Sequence, residues 1–256
     1  MITDNPEEEK LHILVVDDEC LLAKTIADIL HIKGYGVETA FNGSEAVEMV
    51  GQRSFDAVLM DIKMPELNGV AAFLLIKTIA PELPVVMMTA YSTDVLVSQA
   101  REQGALGILP KPLDINALLS FLSTLEKELG IFIIDDDHDF CRTVTGVLQK
   151  RNFKAHYETD AFNAMEYIKR EEGVVLLDMK LNRISGLEVL RKIRDENPHL
   201  PVILVTGYRD EMRSLVEKGL ELNAFAYLYK PLDMNKLFSL LDRIKRKKLR
   251  HALGER

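Results

Sequence analysis

The sequence predicts an α/β protein made of two tandem doubly wound (βα)5 domains, and three observations lead there. Short runs rich in Val, Ile and Leu alternate with stretches whose apolar residues fall at helical spacing, the pattern of a parallel sheet covered by helices on both faces. The alternation passes through five strand–helix pairs and then begins again. Its landmarks repeat at a nearly constant offset: Asp17 recurs as Asp135 after 118 positions, Asp61 as Asp178 after 117, Thr89 as Thr206 after 117, and Lys111 as Lys230 after 119. So small a drift means tandem copies of one domain, and 256 residues suit two ordinary cores.

Taken in order, residues 1–10, MITDNPEEEK, read as an acidic disordered tail. The first strand is ILVV at 13–16, too short and too β-branched for a core helix. Leu22, Ile26, Ile29 and Leu30 then mark one face of a helix. VETA at 37–40 is a weaker second strand, and the runs at 57–60, 84–88 and 106–109 supply the third to fifth. Pro110 would break an interior ladder, so the fifth strand belongs at a sheet edge. A helix at about 113–129 closes the first domain, residues 11–129, with Gly130 as its C-terminal stop. The second domain, residues 130–245, repeats the series from Ile131. Residues 246–256 form a basic C-terminal tail, too short for an output domain. Where it begins, the cations of Lys245 to Arg250 read as the solvated end of a helix, complementing its dipole.

Composition narrows the function. A net charge of −8 and a pI near 5.4 oppose a general nucleic-acid binder, which needs an excess of Lys and Arg. No run approaches the ~18 apolar residues of a membrane span, and the N-terminus lacks the basic and apolar regions of a signal peptide; a cytoplasmic protein without a membrane partner is expected. Cys20 and Cys141 support neither a disulfide framework nor a zinc site and are expected as reduced, half-buried thiols.

Ligands of a doubly wound sheet bind at the C-terminal ends of its strands. Asp17 and Asp18 end the first strand, Asp61 the third, Thr89 the fourth and Lys111 the fifth, so all five should meet at one edge. Three carboxylates packed together need a cation, and an oxygen-only set suits Mg²⁺. A metal, a hydroxyl and an ammonium around one carboxylate can hold the three oxygens of a phosphoryl group. The central carboxylate would be the nucleophile, forming an acyl phosphate. Helix N-caps would explain one acid of each pair but not Asp61, Thr89 and Lys111 at the remaining strand ends.

On these residues the sequence resembles a tandem of receiver domains of two-component response regulators, the family of the chemotaxis response regulator. The motifs are VVDDE, DIKMPELNG, MMTA and LPKP in the first copy, and IIDDD, DMKLNRISG, LVTG and LYKP in the second. The resemblance implies a flavodoxin-like sheet of order 2-1-3-4-5. It implies that Asp61 and Asp178 accept phosphate from a sensor histidine kinase or a histidine phosphotransfer protein. Mg²⁺ would be held by Asp18 with Asp61 and by Asp136 with Asp178, with Asp17 and Asp135 acting partly through water and the backbone carbonyls of Lys63 and Lys180 completing the shell. Thr89 and Thr206 would bond the phosphoryl oxygen, Lys111 and Lys230 would pair with it, and both Lys-Pro bonds would be cis.

The function implied is a phosphoacceptor signalling protein without an output domain, acting on a downstream protein that the sequence does not name. Its chemistry is confined to gaining and losing its own phosphoryl group, so it is not an enzyme in the ordinary sense, and a homodimer is compatible with it. Two alternatives stay open: a receiver fragment of a larger hybrid kinase or regulator, and a scaffold in which one receiver serves only as a dimerisation or adaptor module. A phosphohydrolase of the haloacid dehalogenase type needs an acid two residues after its nucleophile, where Lys63 and Lys180 stand. No nucleotide-binding glycine motif occurs.

Two departures separate the copies or bear on lifetime. The family's switch aromatic, three residues before the Lys, is Tyr227 in copy two but Ile108 in copy one, so the two domains should report phosphorylation differently. Lys63 with Tyr91, and Lys180 with Tyr208, flank the path of the hydrolytic water in this family, and neither pair orients water, so slow self-dephosphorylation is expected.

Overall fold

A computed structural model of the chain describes residues 11–90, 95–168, 173–182, 184–207 and 213–255. The expected acidic tail at 1–10, Tyr91 and Tyr208 lie outside the described residues. The chain forms two compact units, one holding the residues up to Glu126 together with those from Arg246 onward, the other Lys127–Lys245.

The first unit contains β1 (His12–Val16), α1 (Cys20–Ile32), β2 (Gly36–Ala40), α2 (Gly43–Gln52), β3 (Ala57–Asp61), α3 (Gly69–Ile79), β4 (Val85–Thr89), α4 (Val95–Glu102), β5 (Gly107–Pro110) and α5 (Ile115–Glu126). All pairings are parallel, in the order β2-β1-β3-β4-β5. Successive side chains of a strand point to opposite faces, and both faces are covered here. Leu14, Val16, Val58 and Met60 pack on one side with Phe73 and Ile76 of α3. Ile13, Val15, Ala57 and Leu59 pack on the other with Ile26 of α1 and Phe121 of α5. The edge strand β2 buries only Ala40 fully, which is why VETA gave the weakest apolar signal. Pro110 does lie on an edge strand, opposite Thr89.

The second unit contains β6 (Gly130–Ile134), α6 (His138–Gln149), β7 (Lys154–Glu158), α7 (Ala161–Ile168), β8 (Gly173–Asp178), α8 (Gly186–Glu196), β9 (Val202–Thr206), α9 (Arg213–Glu221), β10 (Ala226–Tyr229) and the first part of α10 (Met234–Ala252). Its sheet, β7-β6-β8-β9-β10, repeats the order of the first. Both are doubly wound and flavodoxin-like.

Three expectations are corrected. Gly130 does not stop a helix: α5 ends at Glu126 and Gly130 is the first residue of β6, paired with Lys154 and Gly173. A side chain at Gly173 would come within 2.5 Å of the Gly130 carbonyl oxygen, so close strand approach is what the neighbouring glycine serves. The thiols are not alike, Cys20 being exposed and Cys141 fully buried.

The third correction concerns the basic segment from Arg246: its cations do end a helix, with Lys247 and Arg250 exposed, but its apolar residues are not solvated. The helix α10 runs on to Ala252, and Leu249 and Leu253 are buried in the first unit beside Leu106, Leu109 and Phe121. The Arg250 Nε–H donates to the Leu106 carbonyl at 3.0 Å, and the Glu255 carboxylate accepts the Ile108 N–H at 3.0 Å. An edge strand carries unpaired backbone groups that something must cover, and on β5 these residues cover them. The charge run hid the apolar pair Leu249 and Leu253 at helical spacing.

Candidate functional site

Each sheet carries one cluster at the C-terminal ends of its strands. In the first unit Asp17 follows β1, Asp61 is the last residue of β3, Thr89 the last of β4, and Lys111 follows β5. The Lys111 N–H donates to the Thr89 carbonyl at 2.7 Å, so the end of β5 is tied to the end of β4. Asp17 and Thr89 are 1% exposed and Asp61 6%, while Asp18 is exposed. Carboxylate oxygens of Asp17, Asp18 and Asp61 lie within 4.8 Å of one another. The Lys111 ammonium reaches 2.7 Å from Asp17 Oδ2 and 2.9 Å from Asp61 Oδ1.

The second cluster is built alike. Asp135 follows β6, Asp178 ends β8, Thr206 ends β9 and Lys230 follows β10. Oxygens of Asp135, Asp136 and Asp178 again lie within 4.8 Å of one another, and the Lys230 N–H donates to the Thr206 carbonyl at 2.7 Å. Lys230 Nζ is 2.6 Å from Asp135 Oδ2 but 3.7 Å from Asp178 Oδ1. The Thr206 hydroxyl is buried and has no hydrogen-bond partner among the described residues.

Two glycines let the chain return to these strand ends. A side chain at Gly69 would come within 2.0 Å of the Asp61 carbonyl oxygen, and one at Gly186 within 2.4 Å of that of Asp178. Both open helices, α3 capped by Asn68 and α8 by a Ser185–Glu188 capping box. Both Lys-Pro bonds, 111–112 and 230–231, are cis.

The acidic pairs are not helix caps. Of backbone N–H groups, Asp17 and Asp135 accept that of the residue two ahead, Glu19 and Asp137, which precedes the first helical turn. The cap of α6 is a third acid, Asp137, which accepts from Asp139 and Phe140, and Glu19 makes no side-chain cap on α1.

Crowding perturbs the acids. Burial pushes the Asp61 carboxyl above the usual carboxylate range, against the Lys111 ammonium that draws it down. Burial also draws Lys111 down, but its hydrogen bonds to Asp17 and Asp61 outweigh that and leave it raised. Burial raises Asp135. Asp178 is pushed up to about 6, first by burial and then by the Asp135 charge, with Lys230 and the Lys180 N–H pulling the other way. Three carboxylates unable to share one site as anions, all with hard oxygen donors, fit a divalent cation such as Mg²⁺.

Two neighbours of the second cluster were not foreseen. Phe140 on α6 places its ring 4.3 Å from Lys230 Nζ. Cys141 donates to the Asp135 carbonyl oxygen at 3.3 Å, and burial holds its thiol at about 12, so it stays protonated and structural. The signal for Phe140 was present in the repeat: the position 118 residues earlier is Leu22. Of the two switch positions, Ile108 is buried in the first core and Tyr227 is 42% exposed, edge-on to Tyr229.

The sequence matches the response regulator receiver domain family over residues 13–123 and again over 131–242. The chain belongs to the response regulator receiver family. The response regulator receiver protein Anae109_2439 of Anaeromyxobacter sp. (strain Fw109-5) is similar at 29% identity over 235 residues, 92% of this chain and 95% of that protein. The transcriptional regulatory protein ZraR of Escherichia coli O157:H7 is 41% identical over 122 residues, 48% of this chain and 27% of ZraR. Among solved structures, a CheY-like response regulator receiver domain protein from Methanospirillum hungatei JF-1 covers 48% of this chain and 97% of its own, at 25% identity and a TM-score of 0.44. The chain is thus a tandem of two receiver domains, and receivers typically bind Mg²⁺ in an acidic pocket and interact with histidine kinases or phosphotransfer proteins. Among the described residues no helix is long and apolar enough to cross a membrane.

Proposed function

We propose that both receiver domains accept a phosphoryl group, on Asp61 and Asp178, from a sensor histidine kinase or a histidine phosphotransfer protein, and that they signal through protein contacts. The observation that carries this reading is the duplicated convergence of a buried aspartate, two further acids, a buried Thr hydroxyl and a Lys ammonium at the strand ends.

In this reading Asp17, Asp18, Asp61 and the Lys63 carbonyl hold Mg²⁺ in the first domain, and Asp135, Asp136, Asp178 and the Lys180 carbonyl hold it in the second. Bound there, the ion would neutralise the acids and offset the negative charge of an incoming phosphoryl group. The carboxylate oxygen of Asp61 or Asp178 attacks phosphorus, and the donor's bond to phosphorus breaks with its electron pair leaving on the donor. The Thr89 or Thr206 hydroxyl donates to one phosphoryl oxygen, and Lys111 or Lys230 pairs with another. The unpartnered Thr206 hydroxyl supports this role, since a buried hydroxyl without a partner is ready to take an incoming oxygen.

Intact mass after incubation with Mg²⁺ and a small phosphodonor tests the reading. Two added phosphates are expected, one lost in Asp61→Asn, the other in Asp178→Asn, and both in EDTA. A double Asn variant that still gains phosphate on an aspartate would overturn it.

A further inference from the structure

The two sites share residue types, yet their lysines are held differently. In the first domain Lys111 Nζ lies between two carboxylates, 2.7 Å from Asp17 and 2.9 Å from Asp61. In the second, Lys230 Nζ stays with Asp135 at 2.6 Å and stands back from Asp178 at 3.7 Å. The same ammonium lies 4.3 Å from the centre of the Phe140 ring. That ring is in the first turn of α6 and packs against the core beneath. In the first domain the equivalent residue, Leu22 of α1, has no aromatic face to offer a cation. An ammonium over a ring is attracted by the ring's quadrupole. Ring and Asp135 carboxylate together therefore favour a position of Lys230 withdrawn from Asp178.

We propose that Phe140 is a positioning residue for Lys230, holding the ammonium off Asp178 and making Asp178 the slower of the two phosphoacceptors. The inference rests on the reading that both aspartates are phosphorylated. When an Asp178 oxygen attacks acetyl phosphate, a bond from that oxygen to phosphorus forms. The bond from phosphorus to the acetate oxygen breaks, and acetate leaves with the electron pair. Negative charge is spread over the three other oxygens during the transfer. Lys111 is already beside Asp61 and meets that charge with little movement. Lys230 must leave the ring to do the same, and the attraction it gives up adds to the barrier at Asp178.

The test uses the full chain with Mg²⁺ and acetyl phosphate, reading phosphate on each aspartate separately by peptide mass spectrometry, so that Asp61 serves as an internal control. Asp178 should lag behind Asp61 in the wild type. Phe140→Leu should speed Asp178 roughly two- to fivefold, the range of a partly exposed cation–π contact, and leave Asp61 unchanged. Phe140→Tyr keeps the ring and should keep the slow rate, while Leu22→Phe should slow Asp61. Independently of metal and phosphate, the ε-methylene protons of Lys230 should be shifted upfield by the ring current in wild type and Phe140→Tyr, and not in Phe140→Leu. An Asp178 rate unchanged by Phe140→Leu, a Phe140→Tyr as fast as Phe140→Leu, or unshifted Lys230 protons would overturn the positioning role and leave the phosphoacceptor reading standing. No phosphate on either aspartate of the wild type would overturn both.

Discussion

Replacing Asp178 by Asn in the metal-free chain should stabilise the second receiver domain at neutral pH. Asp178 is 5% exposed, faces Asp135 and Asp136, and has its ammonium neighbour no closer than 3.7 Å. Its carboxyl is raised from an ordinary 3.8 to about 6. A gap of about 2 units at about 1.4 kcal/mol each gives about 3 kcal/mol, an upper figure because neighbouring charges share the titration. The sign follows from which state holds the proton more tightly. The folded domain does, so this group's stabilising contribution is complete below about pH 4, its unfolded range, and is lost as pH rises through about 6. Asn carries no charge to desolvate, leaves Lys230 its 2.6 Å contact with Asp135, and still offers the Lys180 N–H an oxygen. Urea unfolding in EDTA, read by hydrogen exchange in peptides of residues 130–245, isolates this domain. The midpoint should rise by about 1 M at pH 7, taking a urea slope of roughly 2–3 kcal/mol per M, and the gain should vanish near pH 4. Mg²⁺ should then stabilise the wild type more than the variant. No gain at pH 7, or one that grows on acidification, would refute the reasoning.

Other outcomes test other parts of the structure. Leu253→Ala should destabilise the first domain by about 2–4 kcal/mol and leave the second unchanged in the same exchange experiment, since Leu253 is buried against Leu106 and Gly107 of the first unit; a loss confined to the second domain would contradict that packing. Phosphorylated Asp61 should hydrolyse slowly, and Lys63→Asn should shorten its lifetime, measured by loss of the added mass; an unchanged lifetime counts against a blocking role for this cation. On phosphorylation of single-site variants, exchange should change more at 202–207 and 226–229 than at 85–89 and 107–110, because Tyr227 starts exposed and Ile108 starts buried. Tyr227→Ala should remove that difference, and equal changes in both domains would argue against distinct outputs.

The amino-acid sequence by itself determined the two parallel sheets, their tandem order and the residues at their strand ends. Those properties are local or repeated: a strand buried on both faces must be apolar throughout, as in ILVV and IFII, and a polar residue that ends such a run is placed at the sheet edge by the run itself. The weak strand VETA was legible only as weak because an edge strand buries little. What depended on long-range packing was not readable in this way. Gly130 looked like a helix stop because the approach of Gly173 is invisible in the chain order. The basic segment from Arg246 looked solvated because charge dominates its composition, while Leu249 and Leu253 find their partners more than a hundred residues earlier in β5 and α5. The separation of Lys230 from Asp178 is likewise a tertiary fact. Both sites carry the same acids, Thr and Lys, and only the folded chain brings the Phe140 ring under one ammonium while leaving the other between two carboxylates.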